Sequence, residues 1–221
     1  MRSTVICVFP CLLMLLLALA VPASGQVPAI DYVGFGWETS LLPPSLAGDE
    51  LVYVGVADDI DPLYGVDLGA VELTFHAYGL ISTGETDLGG GNVMVAYTGG
   101  TLDIFIHDFG DAAWGVNPPN AVAPSTFNNG ELFFRGAFSS FTVYLTAGGA
   151  GSFDGLLDGV DGDLIDDMCE DCAYTWGGIF TTETGAQIPE GYDFQLDGEF
   201  EVDPAVSNQD ASWSRVKSLY R

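Results

Sequence analysis

Nearly all the side chains in this chain that could do chemistry are carboxylates. Asp and Glu number 31, against five Lys and Arg and two His. Two acidic clusters carry the glycine punctuation from which hard-cation loops are made. The denser holds Asp154, Asp158, Asp161, Asp163, Asp166 and Asp167, and runs on through Glu170 and Asp171. Calcium binds several oxygen ligands at once, and closely spaced aspartates can supply them. Asp161-Gly162-Asp163 matches the first two ligands of an EF-hand loop. Ile165 then takes the third ligand position and Asp166 the position of the required glycine, so that template fails. The sequence leaves two readings, a looser structural calcium loop or a solvated acidic loop. The second cluster, Asp58, Asp59, Asp61 and Asp67, lies at a strand end, is interrupted by Pro62 and fits no loop template.

Other candidates are sparser. Glu199 and Glu201 share a strand face, as the paired acids of a glycosidase would. That face also carries Asp193, Asp197 and Asp203, the pattern of a solvated surface. His76 and His107 sit in separate strands and could share a metal if those strands pair, but two ligands are too few to define one. Cys169 and Cys172 are the cysteines downstream of the N-terminal apolar segment. In an exported chain Cys-Glu-Asp-Cys reads as a small-loop disulfide, since the flanking acids oppose thiolate chemistry. Trp114, Trp176 and Tyr174 could line a sugar-binding platform; the alternative is core packing. Trp114 is the best placed, within the long segment Phe109–Gly130. No G-x-S-x-G, P-loop or dinucleotide fingerprint occurs.

The elements that must position these residues are strands. From Tyr192 to Asp203 apolar residues alternate with polar ones that are almost all acidic, the mark of a half-buried antiparallel strand. Similar patterns cover Ile30–Trp37, Leu51–Val56, Val71–Tyr78, Val93–Tyr97, Leu102–Ile106, Leu132–Ala137, Phe141–Leu145 and Tyr174–Thr181. Glycine clusters separate them, and Thr98-Gly99-Gly100 reads as a tight hairpin between Val93–Tyr97 and Leu102–Ile106. Pro43–Glu50, Phe109–Gly130 and Gly155–Asp171 read as long loops, with a short helix near Asp163–Cys169. The expected fold is all-β, a single antiparallel jelly-roll-like sandwich, followed by a short amphipathic C-terminal helix.

Three segments are expected along the chain. Residues 1–25 read as a secretory signal, with Arg2 before a leucine-rich run and Ala23-Ser24-Gly25 at the cleavage site. Residues 26–203 form the β domain, and no later stretch approaches the ~18 apolar residues of a membrane span. Residues 204–221 are a linker and a basic tail. There Trp213, Val216, Leu219 and Tyr220 share a helical face, and Arg215, Lys217 and Arg221 are the charges. Between signal and tail the only basic side chain is Arg135. Such a body excludes nucleic acid as a partner, because phosphate affinity needs Lys and Arg, and it is repelled by anionic membrane. Divalent cations and basic partners are attracted instead.

The tail, Ser212-Trp213-Ser214-Arg215-Val216-Lys217-Ser218-Leu219-Tyr220-Arg221, resembles a C-terminal pattern that recurs in exported bacterial proteins. It consists of Trp, two residues, Val or Ile, Lys, one residue, Leu or Met, Tyr and Arg. The body, with Asn117-Pro118-Pro119-Asn120 and Ile188-Pro189-Glu190-Gly191-Tyr192-Asp193, is similar to uncharacterised secreted bacterial β-proteins. The resemblance implies a shared sorting or attachment signal and brings no activity with it. The expectation is therefore a non-enzymatic extracellular or cell-surface bacterial protein, stabilised by calcium, whose tail engages export or attachment machinery. The alternatives are a carbohydrate-binding module that uses loop aromatics and a glycoside-active enzyme.

Overall fold

Period-two alternation does fold into strands. The computed structural model describes residues 28–108, 110–114, 125–164, 172–183 and 187–203. Nine strands follow in order: β1 (Ala29–Glu38), β2 (Glu50–Ile60), β3 (Glu72–Gly89), β4 (Asn92–Thr98), β5 (Thr101–His107), β6 (Glu131–Leu145), β7 (Ala150–Asp161), β8 (Ala173–Thr181) and β9 (Phe194–Asp203). One 3-10 turn lies at Pro62–Tyr64. The expected linker and C-terminal helix, 204–221, and the signal, 1–25, lie outside the described residues. Asp163 and Leu164 open a helical turn where a short helix was expected; the rest of that segment is also outside them.

The expected sandwich is overturned, because the sheet closes on itself. Apart from β4 and β5, each strand pairs antiparallel with the next, and β9 returns to pair with β1, from Ala29 opposite Glu201 to Gly36 opposite Phe194. A sandwich keeps two separate sheets with free edges, whereas this ring has none. The Thr98-Gly99-Gly100 hairpin is overturned too. β4 and β5 both pair antiparallel with β3 and both with β6, so they run in one direction as a single kinked strand. Gly99 and Gly100 hold φ of 70° and 95°, so they bend that strand without reversing it. Counted this way the barrel has eight strands.

An eight-stranded barrel has an interior just wide enough for side chains to fill. Here the filling is aromatic over glycine. A Cβ added to Gly36 would lie 2.3 Å from the Phe194 ring, and one on Gly151 would lie 2.2 Å from Phe180. The same holds for Gly155 under Phe138 and Phe141, Gly178 under Phe153, and Gly198 under the Tyr32 hydroxyl. Trp176 sits among Tyr32, Tyr53 and Phe153 at ring separations of 5.0–5.4 Å. Each such pair adds about 1 kcal/mol beyond the area it buries. Gly151, from a cluster read as a turn, and Gly155, read as the start of a loop, are therefore strand positions vacated for a neighbour's ring.

That packing explains a further correction. The segment from Gly155, read as a loop, is strand β7, with Gly151, Phe153, Gly155 and Leu157 facing inward. Val71–Tyr78 likewise continues to Gly89 as one 18-residue strand, and Leu132–Ala137 with Phe141–Leu145 forms the single strand β6. Outward positions on β7 and β9 are mostly polar, with Asp154, Asp158, Gln195, Asp197 and Glu199 all exposed, beside the exposed apolar Leu156 and Val160 of β7. This polarity is the reverse of a transmembrane barrel, which is apolar outside and polar within.

Candidate functional site

On its other side the barrel carries a second apolar cluster, outside the ring. Trp37, Val52 and Val54 face outward from β1 and β2 and are buried by Phe127 and Tyr192. Phe127 belongs to the long connection between β5 and β6, of which residue 109 and residues 115–124 lie outside the described set. The base of this connection is pinned by Glu72 on β3, whose Oε2 accepts from the amides of Asp111 and Ala112 at 3.2 and 3.1 Å. Its two limbs are tied rung by rung. Asn129 Nδ2 donates to Asp111 Oδ2 at 2.7 Å, and the Ala113 amide donates to Thr126 Oγ1 at 3.3 Å. Trp114 then packs on Phe127, with ring centroids 4.8 Å apart.

Trp114 is 37% exposed. Its edge contact with Phe35 of β1, at 4.9 Å, fixes the indole from the barrel side. At the foot of the same connection is a cleft of about 530 Å³ lined by His107, Asp108, Asp111, Asn129 and Glu131. Thr74 Oγ1 donates to the Phe127 carbonyl at 3.0 Å and lies 2.9 Å from His107 Nε2. A hydroxyl has one hydrogen, so His107 must supply the hydrogen of the second contact from Nε2. Its Nδ1 then faces Asp111 Oδ1 at 3.7 Å. The cleft offers mainly acceptors and one imidazole, and Trp114 stands higher on the same connection, outside its lining. That chemistry suits a ligand rich in hydroxyl donors and disfavours an anion.

Tyr174 and Trp176 cannot join Trp114 in a platform. Both face inward on β8, and only 3% and 1% of their surface is exposed. Period two put them on the same strand face; closure of the ring made that face the interior. The histidines do not meet either. β3 and β5 pair as supposed, but the register sets His76 opposite Asp103 and His107 opposite Glu72. His76 stacks on Tyr78 at 4.6 Å, and burial lowers its pKa to about 4.

The acidic candidates separate by position. Asp61 Oδ1 accepts from the Leu63 amide at 2.8 Å and Asp67 Oδ1 from Gly69 at 2.9 Å, so both cap turns. Asp58 and Asp59 end β2, with Asp59 directly opposite Asp31 of β1. Asp154, Asp158 and Asp161 stand on strand β7, and Asp163 follows it. Asp166, Asp167 and Cys169 lie outside the described residues. Cys172 is packed half-buried against the core. Among the described residues no three His, Cys, Asp or Glu side chains converge as a metal site.

Closure gathers acids that the chain keeps far apart. Asp31, Asp154, Asp197, Glu199 and Glu201 surround a shallow groove of about 430 Å³ crossing β1, β9, β8 and β7, with Gly177 in its floor. Desolvation first, then Asp58, Asp59 and Asp197, raise the Asp31 pKa; desolvation, Glu201 and Asp31 raise that of Glu199. Asp31 was not a sequence candidate, because only the β1–β9 and β1–β2 pairings bring it to these groups. Known protein families, curated proteins and solved structures offer no match to this chain.

Proposed function

We propose that this chain is an exported, non-enzymatic binding protein whose barrel faces water and presents the β5–β6 connection to a neutral glycan. The observation carrying this reading is Trp114, met edge-on by Phe35 and packed at a tilt on Phe127 with part of its ring in solvent, on the connection whose foot lines a cleft of carboxylate and amide acceptors. An aromatic face takes the apolar side of a sugar ring, while acidic and amide oxygens take its hydroxyls. The test is binding to a panel of neutral and acidic glycans. A neutral glycan should bind, and Trp114→Ala should weaken it at least about tenfold, roughly 1.4 kcal/mol. Binding unchanged in Trp114→Ala, or preference for acidic glycans, defeats the reading.

Two further parts of the proposal concern segments outside the described residues. The basic tail with Trp213, Arg215, Val216, Lys217, Leu219, Tyr220 and Arg221 serves sorting or surface attachment. Truncation after Asp203 should move the protein between cell-surface and medium fractions while the barrel stays folded. Calcium and a Cys169–Cys172 disulfide stabilise the β7–β8 connection. Calcium that binds only the native state must raise the melting temperature, so a calcium titration leaving it fixed removes the cation from the proposal.

A further inference from the structure

The connection between β1 and β2, residues 39–49, closes the end of the barrel away from the cleft at His107. Leu42 belongs to the interior core and is 3% exposed; Ser45 is 2% exposed. Carboxylates hold this segment by its amides. The Leu42 amide donates to Asp193 Oδ2 at 3.5 Å, that of Ser45 to Glu85 Oε1 at 2.9 Å, and that of Leu46 to Asp49 Oδ2 at 3.2 Å.

Beneath it lies Glu38, the last residue of β1, pointing inward and 5% exposed. Its Oε1 accepts from the Tyr97 hydroxyl and from Ser45 Oγ, and Ser45 Oγ lies 2.7 Å from Ser82 Oγ. Its Oε2 is buried with no hydrogen-bond partner. The groups that face it are Tyr53 on β2, Ser82 and Glu85 on β3, Tyr97 on β4, Asp49 within the connection and Asp193 before β9. None is basic. An ionised carboxylate here would keep one oxygen unhydrated among other acids, which is costly; a proton removes the charge, and so does opening the connection to water.

We propose that residues 39–49 are a pH-operated plug, seated while Glu38 carries a proton and released when it ionises, which uncovers Ser82, Tyr97 and the aromatic floor of the barrel mouth. Burial raises the Glu38 pKa, the bonds from Tyr97 and Ser45 offset part of that rise, and Asp49 and Asp193 add to it. A carboxyl whose pKa is raised in the seated state favours seating in acid, and that contribution is lost as pH climbs through the raised value.

Hydrogen exchange of the Leu42, Ser45 and Leu46 amides in the full chain tests this, from about pH 4 to about pH 8, around and above the ordinary glutamate value. Rates are corrected for intrinsic exchange and referenced to Ile104 and Phe105 in β5. Protection of the three amides should fall at least about tenfold with rising pH, while the β5 amides hold. In Glu38→Gln that fall should flatten; any slope left belongs to Asp193, whose own pKa burial raises. Tyr97→Phe removes a donor that favours the ionised form, so the midpoint should move to higher pH. Protection independent of pH in the parent, or an unchanged slope in Glu38→Gln, overturns the plug. If Glu38→Gln does not fold, an unmoved midpoint in Tyr97→Phe overturns it, and a raised one supports it.

Discussion

Asp103 and Asp197 both point outward from mid-strand positions, four strands apart round the ring, and the barrel treats them differently. Asp103 on β5 is 3% exposed and receives both prongs of Arg135, Nε at 2.6 Å and Nη2 at 2.8 Å, with the Tyr78 hydroxyl at 3.3 Å. These hydrogen bonds raise the Arg135 pKa further above its ordinary value. Asp197 on β9 is exposed and lies in the groove with Asp31, Asp154, Glu199 and Glu201 and no basic neighbour. The single cation of the body is thus matched to an acid that water cannot reach. Exposed acids need no partner, since bulk water screens them and a surface ion pair is worth little. The body's one guanidinium goes to a buried acid and not to the densest gathering of acids.

Breaking the paired side should have the largest effect. Arg135→Met leaves Asp103 buried and unpaired, at a cost of about 3 kcal/mol in urea unfolding, the low end for a broken buried pair because Arg135 itself reaches solvent. Adding Asp103→Leu should restore most of that loss. A single-variant cost under about 1 kcal/mol would mean water does screen Asp103, and the contrast would fail. Gly198→Ala tests the groove side from within. Its Cβ would lie 2.4 Å from the Tyr32 hydroxyl, so about 1–3 kcal/mol should be lost, while exposed Gln195→Ala next door stays within about 0.5 kcal/mol.

The smallest effect should come from removing groove charge. Asp31→Asn with Glu199→Gln should stabilise the barrel at neutral pH and low salt by about 0.5 kcal/mol. Both carboxyls have raised folded pKa values, so the parent's stability from them is present in acid and lost as pH rises through those values. The gain in the variant should therefore vanish toward acid pH and shrink in high salt. A gain that persists in acid would point to hydrogen bonding as its origin.

How much could be read beforehand follows from what each pattern encodes. β9 was legible because its outward residues are nearly all acids and its inward ones apolar. β7 was not, because its inward glycines at 151 and 155 look like turn residues until Phe180, Phe138 and Phe141 are seen above them. Trp114 stood out correctly as a residue of the long connection. Trp176 and Tyr174 did not separate from it, because period two assigns a face without saying whether that face is inside. Glu38 gave no signal of its own, since its partners Ser45 and Tyr97, and Ser82 behind Ser45, come from three other parts of the chain.

The sequence by itself determined the strand character of most elements, the side of each that avoids water, and a body with Arg135 as its one cation. Those are local properties, written in alternation of period two and in composition. Tertiary structure decided that the faces close into one ring, that glycines make room for rings, and that Arg135 meets Asp103. It also brought Asp31 to Asp197 and set Glu38 under the β1–β2 connection. Each depends on pairings such as Ala29 with Glu201, between residues far apart in the chain, and no local period specifies which strands will be neighbours.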